Sequence, residues 1–210
     1  MSARSASARL RAVLCVSGLL LAMPAAAQTA AVGTDHARIR DGAATGLSGR
    51  SAVNQAAGVG NAQANLAAIA VAAGSLGLTR LDTTQRTVAG DRRRAAHARI
   101  DGQAFAGSSG ALSLNQAAGS GNAQLNLFAI GDGHAVTVAN AIAGLDDTAL
   151  AAVTGDTATE GTAAPPAIRE ARIDSGAFRG SQGVVQVNQT AGVGNASTNA
   201  IVLQLPGGAF

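Results

Sequence analysis

One segment of this chain occurs three times without a gap, and no other feature constrains the fold as strongly. The copies span residues 37–65, 98–126 and 171–199 and share the pattern A-R-I-x3-A-x2-G-x2-G-x3-[VL]-N-Q-x-A-G-x-G-N-A-x2-N. Duplicated units of this kind stack because one unit alone cannot bury its apolar face. The sequence therefore predicts three equivalent structural units that stack on one another.

Within each copy, the residue types predict a strand, a turn and a second strand. In copy three, Val185 and Val187 alternate with Gln186 and Asn188, and this period of two is typical of a β-strand. A Gly-x-Gly-Asn tetrapeptide follows, and it predicts a sharp reversal because Gly and Asn tolerate positive φ. The turn residues are Gly58, Gly60 and Asn61 in copy one, Gly119, Gly121 and Asn122 in copy two, and Gly192, Gly194 and Asn195 in copy three.

An additional strand is expected at the start of each copy, in copy three around Arg172-Ile173 and Ala177-Phe178. The predicted fold is therefore all-β: a β-solenoid of stacked β-arches, which becomes a cross-β structure on assembly, with flexible linkers between the copies. The predicted organisation is a signal peptide at 1–27, an N-terminal segment at 28–36, repeat 1 at 37–70, linker 1 at 71–96, repeat 2 at 97–131, linker 2 at 132–169, repeat 3 at 170–205 and a C-terminal tail at 206–210.

Asn and Gln recur at fixed places inside the predicted strands. A buried amide without partners costs a few kcal/mol, roughly 1–3 by mutational data. Identical amides stacked at the strand spacing of about 4.8 Å satisfy one another, because each donates to one neighbour and accepts from the other. The predicted ladders are Asn54, Asn115 and Asn188; Gln55, Gln116 and Gln189; and Asn65, Asn126 and Asn199.

An arginine begins each copy, at Arg38, Arg99 and Arg172. Stacked like charges repel, so Asp41, Asp101 and Asp174, two or three residues further on, are candidate partners. The alternative is a solvated edge whose ion pairs contribute little to stability.

The first segment is typical of a secretory signal peptide. Arg4, Arg9 and Arg11 precede the apolar stretch 12–23, and small residues then predict cleavage after Ala27. The apolar stretch is shorter than the ~20 residues that span a bilayer, so no stable membrane anchor is expected. Cleavage removes three of the 15 Arg and leaves 12 against 12 acidic residues. Without a basic excess, and without Trp or Tyr as stacking platforms, no nucleic-acid partner is expected.

The composition offers little for catalysis or metal binding. Cys15 is the single cysteine and lies in the predicted signal peptide, so the mature chain has no thiol. His36 and His97 hold the same place in two copies, where copy three has Glu170. A stacked His pair could bind a metal, but a solvated strand edge is the favoured interpretation. No catalytic residue, metal site or cofactor is predicted, and the chain is not expected to be an enzyme.

The unit V-N-Q-x-A-G-x-G-N-A-x-x-N, present as residues 187–199, resembles the repeats of secreted bacterial functional amyloids. It is most similar to the Fap type, with three imperfect repeats and two unequal linkers, and more distantly similar to curlin repeats. The resemblance implies self-assembly into a homopolymer or a copolymer with a related subunit. It also implies Sec export, an outer-membrane export pore and a periplasmic chaperone. The mature chain lacks the C-terminal Cys-x-x-Cys expected of major Fap subunits, which is consistent with a minor or nucleating subunit.

Three stacked units leave two open edges that can pair with another chain. The expected function is therefore that of a structural subunit or nucleator of extracellular amyloid fibres, in biofilm matrix and surface adhesion. The alternative is a monomeric β-solenoid adhesin, or a module that binds carbohydrate or a surface.

Overall fold

The computed structural model describes residues 33–87, 92–145 and 167–205, and the regular elements in these ranges are β-strands. They are β1 (Thr34–Ile39), β2 (Ser48–Ala57), β3 (Ala62–Thr87), β4 (Ala95–Ile100), β5 (Ser109–Ser120), β6 (Ala123–Leu145), β7 (Arg169–Ile173), β8 (Gln182–Val193) and β9 (Ala196–Leu205). Each copy contributes one rung: rung 1 is β1–β3, rung 2 is β4–β6 and rung 3 is β7–β9. In the described ranges, no helix is long and apolar enough to cross a membrane. The predicted signal peptide and the tail at 206–210 lie outside these residues.

The rungs stack into three parallel sheets, which we call layers A, B and C. Layer A has the order β1-β4-β7, layer B the order β2-β5-β8 and layer C the order β3-β6-β9. Rung 2 is central in every layer, so the rungs follow chain order. The register pairs identical residues: Ile39 lies beside Ile100, and Asn115 lies between Asn54 and Asn188. This arrangement confirms the predicted all-β fold class of stacked repeats.

A small apolar core lies between layers A and B. Ile100, Phe105 and Leu114 are at most 1% exposed there, and the outer-rung residues Ile39 and Val187 pack against them. A second cluster contains only alanines, among them Ala98 and Ala118, both fully buried. Alternate residues of each strand supply these contacts, because successive side chains point to opposite faces of a sheet. Small side chains let the two layers approach closely, which explains the alanine-rich composition.

The first strand of each copy is shorter than predicted. In copy three it ends at Ile173, and Ala177-Phe178 lie in the following turn instead of the strand. Ala44, Phe105 and Phe178 adopt φ of 54°, 60° and 58° at equivalent places, so each rung turns in the same way. The rings of Phe105 and Phe178 stack with centroids 5.3 Å apart. The turn therefore directs an aromatic ladder into the core.

Strands β3 and β6 continue far beyond the predicted repeats. The expectation of flexible linkers at 71–96 and 132–169 is wrong for residues 71–87 and 132–145, which these strands include. The register shifts between Ala72 and Gly77, and the chain folds back so that Gln85 Nε2 donates to the Gln124 carbonyl at 3.0 Å. The returning strands, Gly77–Thr87 and Ala135–Leu145, pair in parallel and form a layer D against layer C. Of the remaining linker residues, Ala95 and Ala96 belong to β4 and Arg169 to β7, whereas residues 88–91 and 146–166 lie outside the described ranges.

The described side chains of layer D alternate between buried and exposed, a pattern that the composition of the segment does not reveal. In its rung 1 strand, Gln85 and Thr87 are buried whereas Thr84 and Arg86 are exposed. This period of two is the same strand signal that the repeats carry. The segment is rich in Thr and small residues, which is typical of a linker. Its alternating burial is nevertheless that of a strand that packs on a sheet.

Gly119 shows how closely neighbouring rungs approach, and it generates a stability test. It has φ of 103°, and an added Cβ would collide with the backbone oxygen of Gly192 in rung 3. Gly107 has φ of 66° with nothing within 4 Å of an added Cβ.

We expect Gly107→Ala to destabilise the fold by about 1–2 kcal/mol, the cost of a left-handed non-glycine residue. Gly119→Ala should cost clearly more, because the backbone of rung 3 must also move. Urea unfolding followed by the circular dichroism of the strands measures both, and equal losses would contradict the close approach.

Candidate functional site: the amide ladders

The predicted Asn ladder of layer B runs through all three rungs. Asn188 Nδ2 donates to Asn115 Oδ1 at 3.0 Å, and Asn115 Nδ2 donates to Asn54 Oδ1 at 3.0 Å. Asn115 Nδ2 also lies 2.8 Å from the backbone oxygen of Ala64 in layer C. These side chains point from layer B towards layer C, so the ladder connects rungs and layers at once.

Layer C carries a matching ladder that interlocks with the first. Asn199 Nδ2 donates to Asn126 Oδ1 at 3.1 Å, and Asn126 Nδ2 donates to Asn65 Oδ1 at 2.9 Å. Within each rung, the layer C amide also donates to the layer B amide; Asn126 Nδ2 lies 3.0 Å from Asn115 Oδ1. The equivalent distances are 2.8 Å from Asn65 to Asn54 and 3.0 Å from Asn199 to Asn188. The two ladders form one hydrogen-bonded network between layers B and C.

The Gln ladder points the other way, into the space between layers A and B. Gln189 Nε2 donates to Gln116 Oε1 at 2.8 Å, and Gln116 Nε2 donates to Gln55 Oε1 at 2.7 Å. Each Gln also donates to the backbone oxygen of the layer A arginine in its own rung, at 2.9 Å in all three cases. Adjacent Asn and Gln thus hold opposite faces of layer B, because neighbouring strand residues alternate.

The turn asparagines form a fourth ladder at the reversal between layers B and C. Asn195 Nδ2 donates to Asn122 Oδ1 at 2.8 Å, and Asn122 Nδ2 donates to Asn61 Oδ1 at 2.9 Å. Each Oδ1 also accepts the backbone N–H of the next rung, as Asn61 does from Asn122 at 3.0 Å. The turn glycines all have positive φ, namely Gly58, Gly60, Gly119, Gly121, Gly192 and Gly194.

A further amide position was missed by the sequence reasoning. Gln63 Nε2 donates to Gln124 Oε1 at 2.7 Å, and Gln124 Nε2 donates to Thr190 Oγ1 at 3.2 Å. Copy three has Ser197 at this position, and its hydroxyl donates to Asn188 Oδ1 at 2.6 Å. The Gln shared by two copies was a usable signal, but the pattern common to all three treated the position as variable.

The amides of rung 2 are the most completely covered, although Asn188 of rung 3 is also only 3% exposed. Asn115, Gln116, Asn122 and Asn126 of rung 2 are all 0% exposed. Their equivalents in rung 1, such as Asn54 and Gln55, stay exposed or half-buried. A buried amide is stable only when its hydrogen bonds are made. The rung 2 amides meet this condition because each has an identical residue on both sides.

The arginines on the outer face of layer A have carboxylate partners. Arg38 pairs with Asp101, Arg99 lies 2.7 Å from Glu170, and Arg172 lies 2.9 Å from Asp174. Asp41, a third candidate partner, instead accepts the backbone N–H of Gln103 at 2.7 Å. The Glu170 contact was not anticipated from the sequence, because Glu170 precedes the repeat arginine.

These contacts set the ionisation of the layer A carboxylates. The hydrogen bond from Arg99 lowers the pKa of Glu170, and the hydrogen bond from the backbone N–H of Gly102 lowers the pKa of Asp174, with Arg172 adding to it. A lowered carboxyl pKa favours the folded state above the ordinary carboxyl pKa, and this contribution is lost as the pH falls through the lowered value. Both carboxylates are only half-buried, so solvent screens the effect.

No catalytic or metal-binding arrangement accompanies the ladders in the described ranges. His36 and His97 stack with ring centroids 5.1 Å apart, and Glu170 continues the row in rung 3. Among the residues that the structure describes, no group of three or more His, Cys, Asp or Glu side chains could hold a metal ion. What the arrangement does chemically is pair backbone and side-chain groups along one axis.

Parallel in-register strands with side-chain amide ladders along the stacking axis define an amyloid-like protein of stacked β-arches. Over residues 22–206 the chain matches the model of the functional amyloid protein FapB/FapC family. The chain belongs to this family, which confirms the Fap-type resemblance of its repeats. No solved structure matches the chain.

The central position of Asn115 generates a second test. Asn115→Leu removes one hydrogen bond from each of Asn54 Oδ1, Asn188 Nδ2 and Asn126 Nδ2, and each lost hydrogen bond costs about 1 kcal/mol. We expect this variant to destabilise the fold by roughly 3 kcal/mol or more. Asn54→Leu, the same change at the exposed end of the ladder, should cost less than half as much. Urea unfolding of both variants checks this, and an equal loss would show that the ladder does not stabilise the stack.

Proposed function

We propose that this functional amyloid protein is a structural subunit or nucleator of extracellular fibres that serve biofilm matrix and surface adhesion. The observation that carries the proposal is the state of the two outer rungs. They present the same amides as rung 2, in the same register, and among the described residues no strand pairs with their outer sides. Adding another chain to either edge would give every outer amide the environment that Asn115 and Gln116 already have.

The edges lack the features that keep soluble β-proteins from pairing. Natural sheets protect open edges with Lys, Pro or strong twist. This chain has no Lys, and its prolines lie at 24, 165, 166 and 206, outside the described strands. Apolar side chains are exposed there as well: Ile69 and Val71 in rung 1 are 67% and 70% exposed, and Val202 in rung 3 is 50% exposed. Association at the edges would bury these side chains together with the amides.

Membership of the family supports further parts of the proposal. Fibres of this type are extracellular, so the chain would leave the cytoplasm by its predicted signal peptide and cross the outer membrane by a dedicated pore, with a periplasmic chaperone. Its partner in the fibre would be itself or a related subunit. A structural role fits the absence of a catalytic arrangement among the described residues, and we propose no enzymatic activity.

A direct test uses purified residues 28–210. We expect thioflavin-binding, SDS-resistant filaments whose diffraction shows the strand repeat of about 4.8 Å along the fibre. A stable soluble monomer with a sigmoidal melting curve and no filaments would instead favour the monomeric adhesin.

Charged substitutions in the Asn ladder of layer B test whether amide pairing controls assembly. Asn54→Asp, Asn115→Asp and Asn188→Asp together should slow assembly at least about tenfold above pH 5, because stacked carboxylates repel where amides had paired. Below about pH 4 the acids become protonated and assembly should recover. The control adds three carboxylates at exposed positions outside the ladders: Thr45→Asp, Thr84→Asp and Ser175→Asp. Thioflavin kinetics across this pH range measure both sets, and similar slowing in the two sets would mean that net charge, not amide pairing, controls assembly.

A further inference from the structure

We propose that the fibre is polar: rung 3 of one chain stacks on rung 1 of the next, so every chain points the same way. This inference rests on the proposed self-assembly and specifies which surfaces of two copies meet. Its basis is that the two open edges of the stack differ in hydrogen-bonding character and in charge.

The amide ladders give the stack a direction. In four ladders, every described bond between side-chain amides of different rungs runs from the nitrogen of the higher rung to the oxygen of the lower one. The direction holds for the ladders that end in Asn188, Gln189, Asn195 and Asn199. The Gln63–Gln124 contact alone among the described amide pairs runs the opposite way. The rung 1 edge therefore offers amide donors, and the rung 3 edge offers amide acceptors.

The glutamines show what the rung 1 edge lacks. Gln116 donates to Gln55 Oε1 in the rung below and also to the Ala37 backbone oxygen at 3.2 Å. Gln189 repeats both contacts with Gln116 and with the Ala98 backbone oxygen at 3.2 Å. Gln55 is in rung 1, and its described donation goes to Arg38 O of its own rung. A rung 3 below Gln55 would supply the matching acceptors, Gln189 Oε1 and the backbone oxygen of Ala171.

Two rows of charged residues in layer A are complementary in the same arrangement. Register places His36, His97 and Glu170 in one row, and Arg40, Asp101 and Asp174 in another. The row of Arg38, Arg99 and Arg172 between them is the same in every rung and favours no direction. Rung 1 thus begins each of the two complementary rows with a basic residue, and rung 3 ends each of them with an acidic one. Stacking rung 3 on rung 1 brings Glu170 to His36 and Asp174 to Arg40.

Like edges do not fit in this way. Two like edges can face each other with layer A over layer A only after a half-turn that makes their strands antiparallel. The rows of identical residues that form the ladders are then broken. The same like-edge contacts would also place amide donors against donors and acceptors against acceptors. Only the head-to-tail arrangement satisfies both sets of groups.

Backbone directions identify positions where each edge can be closed separately. In rung 2, the N–H groups of Ser109 and Gly121 donate to rung 1. In a parallel pair, the rung 1 residue opposite such a donor points its own N–H away from rung 2. The same holds for every second residue of the rung 1 strand, including Ala52. By the same parity in rung 3, counted from Gln182, the N–H of Val185 points away from rung 2. Proline at an outward-facing edge position removes a donor that the next chain needs and leaves pairing inside the chain intact.

The first experiment uses Ala52→Pro to close the rung 1 edge and Val185→Pro to close the rung 3 edge. Head-to-tail stacking predicts that neither variant polymerises or dimerises alone, and that an equimolar mixture forms a 1:1 dimer by native mass spectrometry. Homodimers of either variant would overturn the proposal, since they require contact between like edges. Fibres from either variant alone would overturn it as well. Ala52→Ser and Val185→Leu are matched controls, because rung 2 has Ser113 and Leu112 at these places, and both should assemble as the unmodified chain does.

A second variant does not depend on proline being tolerated. Arg40→Asp introduces the residue that rungs 2 and 3 already have at this position, so the fold should accept it. Its own rung 3 edge is unchanged, but its rung 1 edge now meets Asp174 with a like charge. On unmodified seeds imaged singly at low salt, the first variant chain should add to the seed end that exposes rung 3 roughly fivefold more slowly than to the other end, and high salt should remove the difference. Later additions join variant to variant at both ends, so only the first addition is compared.

The control for this variant is Arg86→Asp, which changes net charge equally on the exposed face of layer D. It should slow neither end selectively. Equal slowing of the first addition at both seed ends by Arg40→Asp, or no slowing at all, would contradict the polar interface. The proposed function is tested separately. If the unmodified chain forms no fibres, the proposed self-assembly is wrong. If fibres form but the chains in them do not all point the same way, only the proposed direction of stacking is wrong.

Discussion

Hydrogen bonding between identical side chains in adjacent rungs is the interaction on which the rest of this structure depends. An amide inside a strand is unfavourable unless both its nitrogen and its oxygen are paired, and an identical amide one strand away pairs both. The register of every layer places such pairs at the strand spacing, as Asn54, Asn115 and Asn188 show. The alanines and glycines follow from the same requirement, because layers connected by short amides must lie close together. A core of bulky side chains would hold those layers apart.

Much of the fold could be predicted because the repeat carries two independent signals, one for the strands and one for their register. Alternation within a copy gives the strands and the Gly-x-Gly-Asn turn, and recurrence between copies gives the register, since only stacking explains amides at fixed strand positions. The direction in which each amide points is less accessible. That Gln116 faces layer A while Asn115 faces layer C follows from alternation only once the layers themselves are known.

Two features could not be read from the repeat. Layer D lies where the copies no longer match: its strands pair Thr83 with Ala141 and Arg86 with Gly144, so recurrence gives no signal there. The turn that includes Phe178 looks like a strand because Phe favours sheets, but its φ of 58° belongs to a turn that recurs at Ala44 and Phe105, so the stacking of the three rungs sets the backbone. In both places long-range packing decides a conformation that local residue preference leaves open.

If paired amides organise the fibre, their spacing must persist after assembly. Solid-state NMR of fibres labelled with ¹³C at the Gln side-chain carboxamide carbon measures that spacing directly, because the amides of Gln55, Gln116 and Gln189 bond to one another only between rungs. The account predicts dipolar couplings for a nearest carbon–carbon distance of about 4.8 Å, the separation of adjacent strands. A nearest distance of about 10 Å, the separation of packed sheets, would contradict it, because amides so far apart cannot share hydrogen bonds along the stack.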